Sequence, residues 1–211
     1  MIIKADVSAQ NTSGSFSASA RCPSCRQLGT FEPLHPNSFD WVLLGKFVIG
    51  SRRCPNPGCR ALLFVIWEGG KIIRSYPALR IDFDATNVPR PVVSALEEAI
   101  SCHADECFIA AAIMVRKTLE ELCRDRGAQG KDLKERIRDL GTKIVLPKEL
   151  LDGLDDLRLL GNDAAHIESR EYDQIGREEV EIGIEFTKEV LKATYQYSAL
   201  LNRLRGLKKT P

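Results

Sequence analysis

The sequence predicts an α+β fold, in which a small N-terminal antiparallel β unit (residues 1–80) precedes an all-α antiparallel helical bundle (residues 81–211). Three observations indicate this fold. Four cysteines stand in two close pairs, and β-prone segments surround the second pair. After residues 77–91, a stretch with three prolines that we interpret as a linker, the apolar residues change to a helical period.

The two cysteine pairs predict a metal site. Cys22 and Cys25 enclose Pro-Ser, and Cys54 and Cys59 enclose Pro-Asn-Pro-Gly. Each short turn presents two sulfurs, and four thiolates at one point make a tetrahedral zinc site. The 28 residues between the pairs leave room for strands that return the second pair to the first. We therefore expect a zinc ribbon that binds a structural Zn²⁺ and depends on the metal for its stability.

The remaining residues of the first unit predict strands. Residues 8–20 are small and polar and indicate a loose lead-in or an edge strand. Residues 41–49 are β-prone, and Gly69-Gly70 separates two further β-prone segments as a hairpin turn does. The aromatic residues of this unit are more typical of a core, and a platform on which bases stack is the alternative. They are Trp41, Phe47, Phe64 and Trp67.

Five helices are predicted in the second unit. Pro91 opens the first, which runs to about residue 102, and the second covers about residues 104–126. The third is short and begins with a capping box at Asp132 and Glu135. Two more helices follow, one from Pro147 to about residue 166 and one from an Asp173 cap to about residue 205.

Two of these helices carry an apolar stripe that predicts a buried face. In the second helix the stripe is Phe108, Ala112, Val115, Leu119 and Leu122. In the fifth it is Ile182, Phe186, Val190, Tyr197, Leu201 and Leu204.

The composition is that of a soluble globular protein, with 44% hydrophobic and 28% charged residues. No apolar run is long enough to span a bilayer, and the first residues do not resemble a signal peptide, so we expect no membrane association. Metal-type cysteine pairs beside three other cysteines are typical of the reducing cytoplasm. Residues 1–80 have a net charge of +6 and the rest −5, which permits contact of the ribbon with nucleic acid without requiring it.

The end of the fourth helix holds the residues best suited to chemistry. Arg158, Asn162 and His166 are four residues apart and therefore lie along one side of the helix. A guanidinium, an amide and an imidazole in a row can bind a phosphate and move a proton near neutral pH. The alternative is that Asn162 and His166 end the helix and bond to neighbouring backbone.

Arg116 and Glu120 on the second helix have two interpretations. Their spacing predicts an ion pair within the helix. The alternative places Arg116 in a cleft beside His166, with Glu120 orienting it. Cys102, His103 and Cys107 have no fourth ligand nearby, so we expect Cys102, Cys107 and Cys123 to be buried thiols. His35 is not needed as a ligand beside four cysteines.

The pattern Arg-x-x-Gly-Asn-x-Ala-Ala-His, ending at His166, follows Met-Val-Arg-Lys-Thr-Leu-Glu at residues 114–120 and an N-terminal Cys-Pro-x-Cys turn. Together these features resemble the bacterial domain-of-unknown-function family DUF4145. The resemblance covers nearly the whole chain and implies a HEPN-like fold, one of the helical domains associated with nucleotides or RNA.

The HEPN resemblance implies a metal-independent ribonuclease that acts as a homodimer, with both motifs facing one cleft, in phage defence or a toxin system. In active members an arginine is followed at once by a polar residue and, a few residues on, by a histidine. His166 and Asn162 match this pattern, but the arginine position falls on Gly161. Arg158 and Arg116 are the candidates to replace it.

Two other functions compete with the ribonuclease. One is a non-catalytic module that dimerises and binds a protein or a nucleic acid. The other is a regulator that binds a nucleotide on the face formed by Arg158, Asn162 and His166. Together, the three hypotheses predict RNA or a nucleotide and a second copy of the chain as partners.

Overall fold

The chain forms two compact units, Met1–Asp82 and Phe83–Pro211. The first is an antiparallel sheet and the second consists of helices, which confirms the predicted α+β class. In the computed structural model, the residues described are 9–11, 17–35, 40–165 and 175–207.

Among the described residues of the first unit, seven antiparallel strands make up one sheet. β5 is its central strand: β6 pairs with one edge along its whole length, and β4 and β3 share the other edge. β1 extends the sheet beyond β4, β2 beyond β3, and β7 beyond β6. The strands are β1 (Ala9–Asn11), β2 (Ala18–Arg21), β3 (Leu28–Pro33), β4 (Asp40–Leu43), β5 (Phe47–Arg53), β6 (Leu62–Glu68) and β7 (Lys71–Tyr76).

Tight turns set the registers of the sheet. Gly69 and Gly70 both have positive φ and join β6 to β7, which confirms the predicted hairpin. The β-prone segment 41–49 is two strands rather than one, because Leu44 and Gly45 adopt positive φ and turn the chain from β4 into β5. The lead-in segment contributes the edge strand β1.

The buried core of the sheet is small. It comprises Ala18, Ala20, Cys22, Phe31, Cys54, Leu63, Val65 and Trp67. Two of these eight residues are cysteines of the predicted metal site, and two are alanines. Apolar burial alone therefore supplies little stabilisation to this unit.

The second unit contains the predicted helices, and none of the described helices is long and apolar enough to cross a membrane. The fifth predicted helix continues through a π-helical turn into a further α-helix. The elements are α1 (Arg90–Ala104), α2 (Phe108–Asp125), α3 (Leu133–Lys143), α4 (Lys148–Ala165), α5 (Arg177–Leu191), the π turn (Lys192–Gln196) and α6 (Tyr197–Gly206).

Local signals start the helices much as predicted. The Asp132 side chain accepts a hydrogen bond from the N–H of Glu135 at 2.9 Å and so caps α3. The Glu135 carboxylate reaches back to the N–H of Lys131 rather than to that of Asp132. The predicted Asp173 cap lies outside the described residues, and α5 begins after Gly176.

The predicted buried face of α2 is confirmed for four of its five members, since Ala112, Val115, Leu119 and Leu122 are at most 1% exposed. Phe108, at the start of the helix, is only partly buried. This face contributes to a core that also contains leucines of α1, α3 and α4.

The predicted inner stripe of the fifth helix is wrong for most of its members. Val190 is buried, but Ile182 is 62% exposed and Leu204 is 60% exposed. Tyr197 and Leu201 are also exposed, and no residue of α6 is buried. Periodicity shows that these residues share a face of the helix, but a face is buried only where another element packs on it.

Candidate functional sites

The four predicted cysteines of the β unit converge. The Sγ atoms of Cys22 and Cys59 are 3.8 Å apart, those of Cys25 and Cys54 are 3.7 Å apart, and all four lie within 4.8 Å of one another. Sulfurs at the corners of a tetrahedron with metal–sulfur bonds of about 2.3 Å are separated by roughly 3.8 Å. A disulfide would need about 2.05 Å. The geometry therefore fits a metal ion held by four thiolates.

Matching backbone turns place these sulfurs. In the first turn the N–H of Arg26 donates to the carbonyl of Cys22, and in the second the N–H of Arg60 donates to the carbonyl of Asn56. Arg26 and Arg60 both have positive φ and come directly after the second cysteine of each pair. The chain thus reverses tightly at both turns.

Backbone N–H groups also adjust the thiols. A hydrogen bond from the N–H of Gln27 is the main cause that lowers the pKa of Cys25, and one from Ala61 is the main cause that lowers the pKa of Cys59 to about 6. Burial acts in the opposite direction on Cys54 and raises its pKa to about 12. N–H donors stabilise the thiolate, the form that ligates a metal.

Within the described part of the chain, these cysteines are the one group of three or more His, Cys, Asp or Glu side chains placed to share an ion. His35 therefore does not join the cluster. Cys102, His103 and Cys107 do not form a second site. Cys107 is exposed, which corrects the prediction that it is a buried thiol, whereas Cys123 is buried as predicted.

In the helical unit, Arg116 forms the predicted ion pair within its helix, and its alternative role beside His166 stays a prediction. Its Nε lies 3.6 Å from the Glu120 carboxylate, which is the predicted pair within the helix. Its Nη1 also donates to the main-chain carbonyl of Arg158 at 3.3 Å, so the side chain is directed at α4. Arg116 thus links the two helices that carry the predicted motif.

Arg158 is held by its own helix. Its Nε lies 2.6 Å from the Asp155 carboxylate, and its side chain is 15% exposed. The same contact is the main cause that lowers the pKa of Asp155. Asn162 follows one turn later and is partly buried, and His166 lies outside the described residues. The structure therefore brings Arg116 and Arg158 together, and their catalytic role stays a prediction.

Gly161 explains why α2 and α4 approach so closely. A Cβ atom at this position would collide with the Cβ of Arg116 and would lie 3.0 Å from the carbonyl oxygen of Ala112. The HEPN pattern has its arginine at this position. A side chain here would separate α2 from α4, so the departure from the pattern is part of the packing.

A family profile described as "Domain of unknown function (DUF4145)" matches residues 97–209, more than half of the chain. The chain belongs to the DUF4145 family. No curated protein and no solved structure matches it.

The DUF4145 match confirms the family predicted from the sequence motifs. The matched segment contains Arg116, Arg158, Asn162 and His166 and leaves out the four cysteines of the β unit. The link to HEPN domains stays a prediction, as do RNA binding and dimerisation.

Alongside its DUF4145 segment, the chain has an exposed face on the sheet of its β unit. Residues paired across antiparallel strands point to the same side. Here they form three rows, which we call the open sheet face. The rows are Trp41, Ile49, Ile66 and Arg74; Ser51, Phe64 and Tyr76; and Glu32, Arg53 and Leu62.

Aromatic side chains on the open sheet face are exposed. Tyr76 is 79% exposed, and its cross-strand neighbour Phe64 is 42% exposed. Trp41 is 40% exposed, whereas Phe47 and Trp67 are buried, so the predicted core position is confirmed for two of the four aromatic residues, and base stacking stays a prediction. Sequence reasoning missed Tyr76, although its alternation with Arg74 at the end of β7 was a usable signal.

Sequence reasoning also missed a buried ion pair behind this face. Both Nη atoms of Arg52 contact the carboxylate of Asp40, at 2.8 and 2.6 Å, and both residues are 1% exposed. The guanidinium also lies 4.6 Å from the ring centroid of Trp67. Gly50 makes room for the pair, since a Cβ there would collide with the Asp40 carboxylate. This cluster fixes the strands that carry the open sheet face.

Proposed function

We propose that this protein binds single-stranded RNA on the open sheet face of a zinc-stabilised β unit, and that its DUF4145 unit serves as a non-catalytic module. The observation that carries the proposal is the exposed cross-strand pair of Phe64 and Tyr76. Zinc is proposed because four clustered thiolates suit Zn²⁺.

Stacking is the first contribution to binding. Directly paired residues on one face of a sheet have Cβ atoms about 4.5–5.5 Å apart, so Phe64 and Tyr76 present adjoining aromatic surfaces. Trp41 lies on the same face, at the far end of the neighbouring row. Each base that stacks on such a side chain contributes about 1–3 kcal/mol.

Charge is the second contribution. Arg74 lies in the row of Trp41, and Arg53 lies in the row next to Phe64. These cations can contact phosphates while bases stack between them. The β unit has the net positive charge that RNA requires, because residues 1–80 carry +6 before the metal and its thiolates are counted. An apolar protein partner would use the aromatic residues without the arginines.

The test measures binding of a short fluorescent single-stranded RNA to the full zinc-loaded chain by fluorescence anisotropy. We expect Phe64→Ala and Tyr76→Ala each to weaken binding about 5- to 100-fold, because a stacking surface is lost. Arg74→Gln should weaken binding and reduce its salt dependence by about one phosphate contact. Single-stranded DNA and duplex RNA of the same sequence measure the preference.

Two matched variants control the experiment. Val145→Ala truncates a fully exposed apolar residue of the helical unit, and Arg80→Gln removes an exposed charge that follows the sheet. Both should bind RNA like the unaltered chain. Binding that is absent, or that is equal in all variants, would overturn the proposal. If the chain instead binds a protein tightly, with an affinity that does not change with salt concentration, the protein-binding alternative would be favoured.

Metal-independent RNA cleavage is the second candidate. It is favoured by the contact of Arg116 with α4 at Arg158, one turn before Asn162. The same RNA is examined on a denaturing gel with the unaltered chain and with His166→Ala. Cleavage that disappears in the variant would support the ribonuclease. Intact RNA that still binds would support the non-catalytic module.

A further inference from the structure

The last helical segments of the chain expose a row of apolar residues. We call it the C-terminal stripe. Ile182 lies at its start, and the remaining members lie on α6 and just after it, between 49% and 80% exposed. They are Tyr197, Leu200, Leu201, Leu204 and Leu207. Their spacing of three and four residues is that of a seam between two packed helices.

The π turn brings the two ends of the stripe into line. Tyr197 follows Ile182 by 15 residues. Four α-helical turns take about 14.4 residues, and a π turn is wider by roughly one residue, so the interval is close to four full turns. Ile182 and Tyr197 therefore lie on the same side of the continuous helix. Without the π turn, Tyr197 would lie about 60° around the helix from Ile182.

Helix α5, at the start of the stripe, borders a groove of about 900 Å³. Among the described residues, Ile182 and Phe186 form its apolar floor. Glutamates lie along its edges, namely Glu178, Glu181, Glu185 and Glu189. The groove thus combines an apolar strip with negative charge.

Charge divides the helix into two complementary halves. Residues 177–191 contain five glutamates against Arg177 and Lys188, a net charge of −3. Residues 192–207 contain Lys192, Arg203 and Arg205 and no acidic residue, a net charge of +3. An antiparallel pair of such helices places each acidic half beside a basic half, whereas a parallel pair places like charges together.

We propose that a second copy of this chain covers the C-terminal stripe, with α6 of each copy packed antiparallel along α5 of the other. The interface is symmetric, because each copy supplies one acidic groove and one basic, leucine-rich helix. This inference does not depend on RNA binding, and it identifies the surface by which the helical unit associates.

The first test is the oligomeric state of the full chain by sedimentation over about a hundredfold range of concentration. The unaltered chain should form dimers. Replacing Leu201 and Leu204 together by serine should weaken dimerisation about tenfold or more, since both are buried in the interface. Because both are exposed in the single chain, the helical circular dichroism should remain. Ile109→Ser, an equally exposed change on α2, should leave the dimer intact.

The second test reverses charges to establish the antiparallel order. One variant replaces Glu185 and Glu189 by lysine, and the other replaces Arg203 and Arg205 by glutamate. Each variant alone should dimerise poorly, because like charges then face each other. An equimolar mixture should form heterodimers, because each acidic half again meets a basic half.

Three results would overturn the proposal. The unaltered chain could be a monomer at every concentration, the serine variant could dimerise normally, or the charge-reversed variants could each dimerise without mixing. None of these measurements involves RNA. A failure of the dimer proposal would therefore not bear on the proposed RNA binding, which has its own test.

Discussion

The two units are stabilised by different means. Among the described residues of the β unit, the largest fully buried side chain is Arg52, which is neutralised by Asp40, and part of the core consists of cysteines of the candidate metal site. The helical unit buries mostly aliphatic side chains, among them Leu96, Leu119, Leu122, Leu140, Leu154, Ile184 and Leu191. We therefore expect this small sheet to depend on the ion pair and on a metal held by the four cysteines, and removal of either should affect only the β unit.

Metal removal should give the largest difference between the units. Cys54→Ser, or a strong chelator, should unfold the β unit, because structural zinc contributes about 10–16 kcal/mol in small domains. The helical unit should remain folded. The two tryptophans, Trp41 and Trp67, both lie in the β unit, so tryptophan emission reports on the sheet while circular dichroism at the helical minimum reports on the helices.

Cys107→Ser is the control for this experiment, since it removes an exposed thiol outside the cluster. It should leave the bound zinc, measured by elemental analysis, and the tryptophan emission unchanged. Unchanged emission from a metal-free chain would contradict the view that the sheet depends on the ion.

The buried ion pair should give the second-largest effect. Arg52→Met leaves the Asp40 carboxylate buried without its partner and should destabilise the β unit by about 3–5 kcal/mol. Urea unfolding followed by tryptophan emission measures the change. The double variant Arg52→Met/Asp40→Leu removes both charges and should recover much of the loss. If the single and double variants have the same free energy of unfolding, the unpaired Asp40 carboxylate is not the cause of the destabilisation.

The smallest effect concerns pH and the helical unit. Burial is the main cause that lowers the pKa of His103 below its ordinary value of 6.5, Arg177 adds to it, and Glu181 opposes it. The unfolded chain therefore binds this proton more readily. The stability that neutral His103 contributes is complete above about pH 6.5 and is lost as the pH falls from there through the lower folded pKa.

His103→Phe should make this dependence weaker. Thermal unfolding followed by helical circular dichroism at about pH 7.5 and about pH 5.5 measures it. His35→Gln, at an exposed position of the β unit, is the control and should keep the slope of the unaltered chain. A slope that is the same in His103→Phe would assign the dependence to other groups.

Features that depend on local spacing could be predicted from the sequence. Cys22 and Cys25 lie on one short turn, so their pairing with the second turn followed from metal-ligand geometry. The Asp132 cap and the Gly69-Gly70 hairpin are equally local. Both were predicted correctly.

Features that depend on what packs against a residue could not be predicted. The pair of Asp40 and Arg52 requires the register of β4 on β5 and the space at Gly50. The direction of Arg116 depends on how closely α2 meets α4. The exposure of Leu204 depends on which elements pack against α6. The spacing of apolar residues along the sequence does not contain that information.

The left-handed backbone at Arg26 and Arg60 has a consequence for how the cysteine turns tolerate change. Glycine adopts this conformation freely, whereas a residue with a side chain is strained by roughly 1 kcal/mol. Glycine at either position would relax the main chain, so the backbone of neither turn requires the arginine found there.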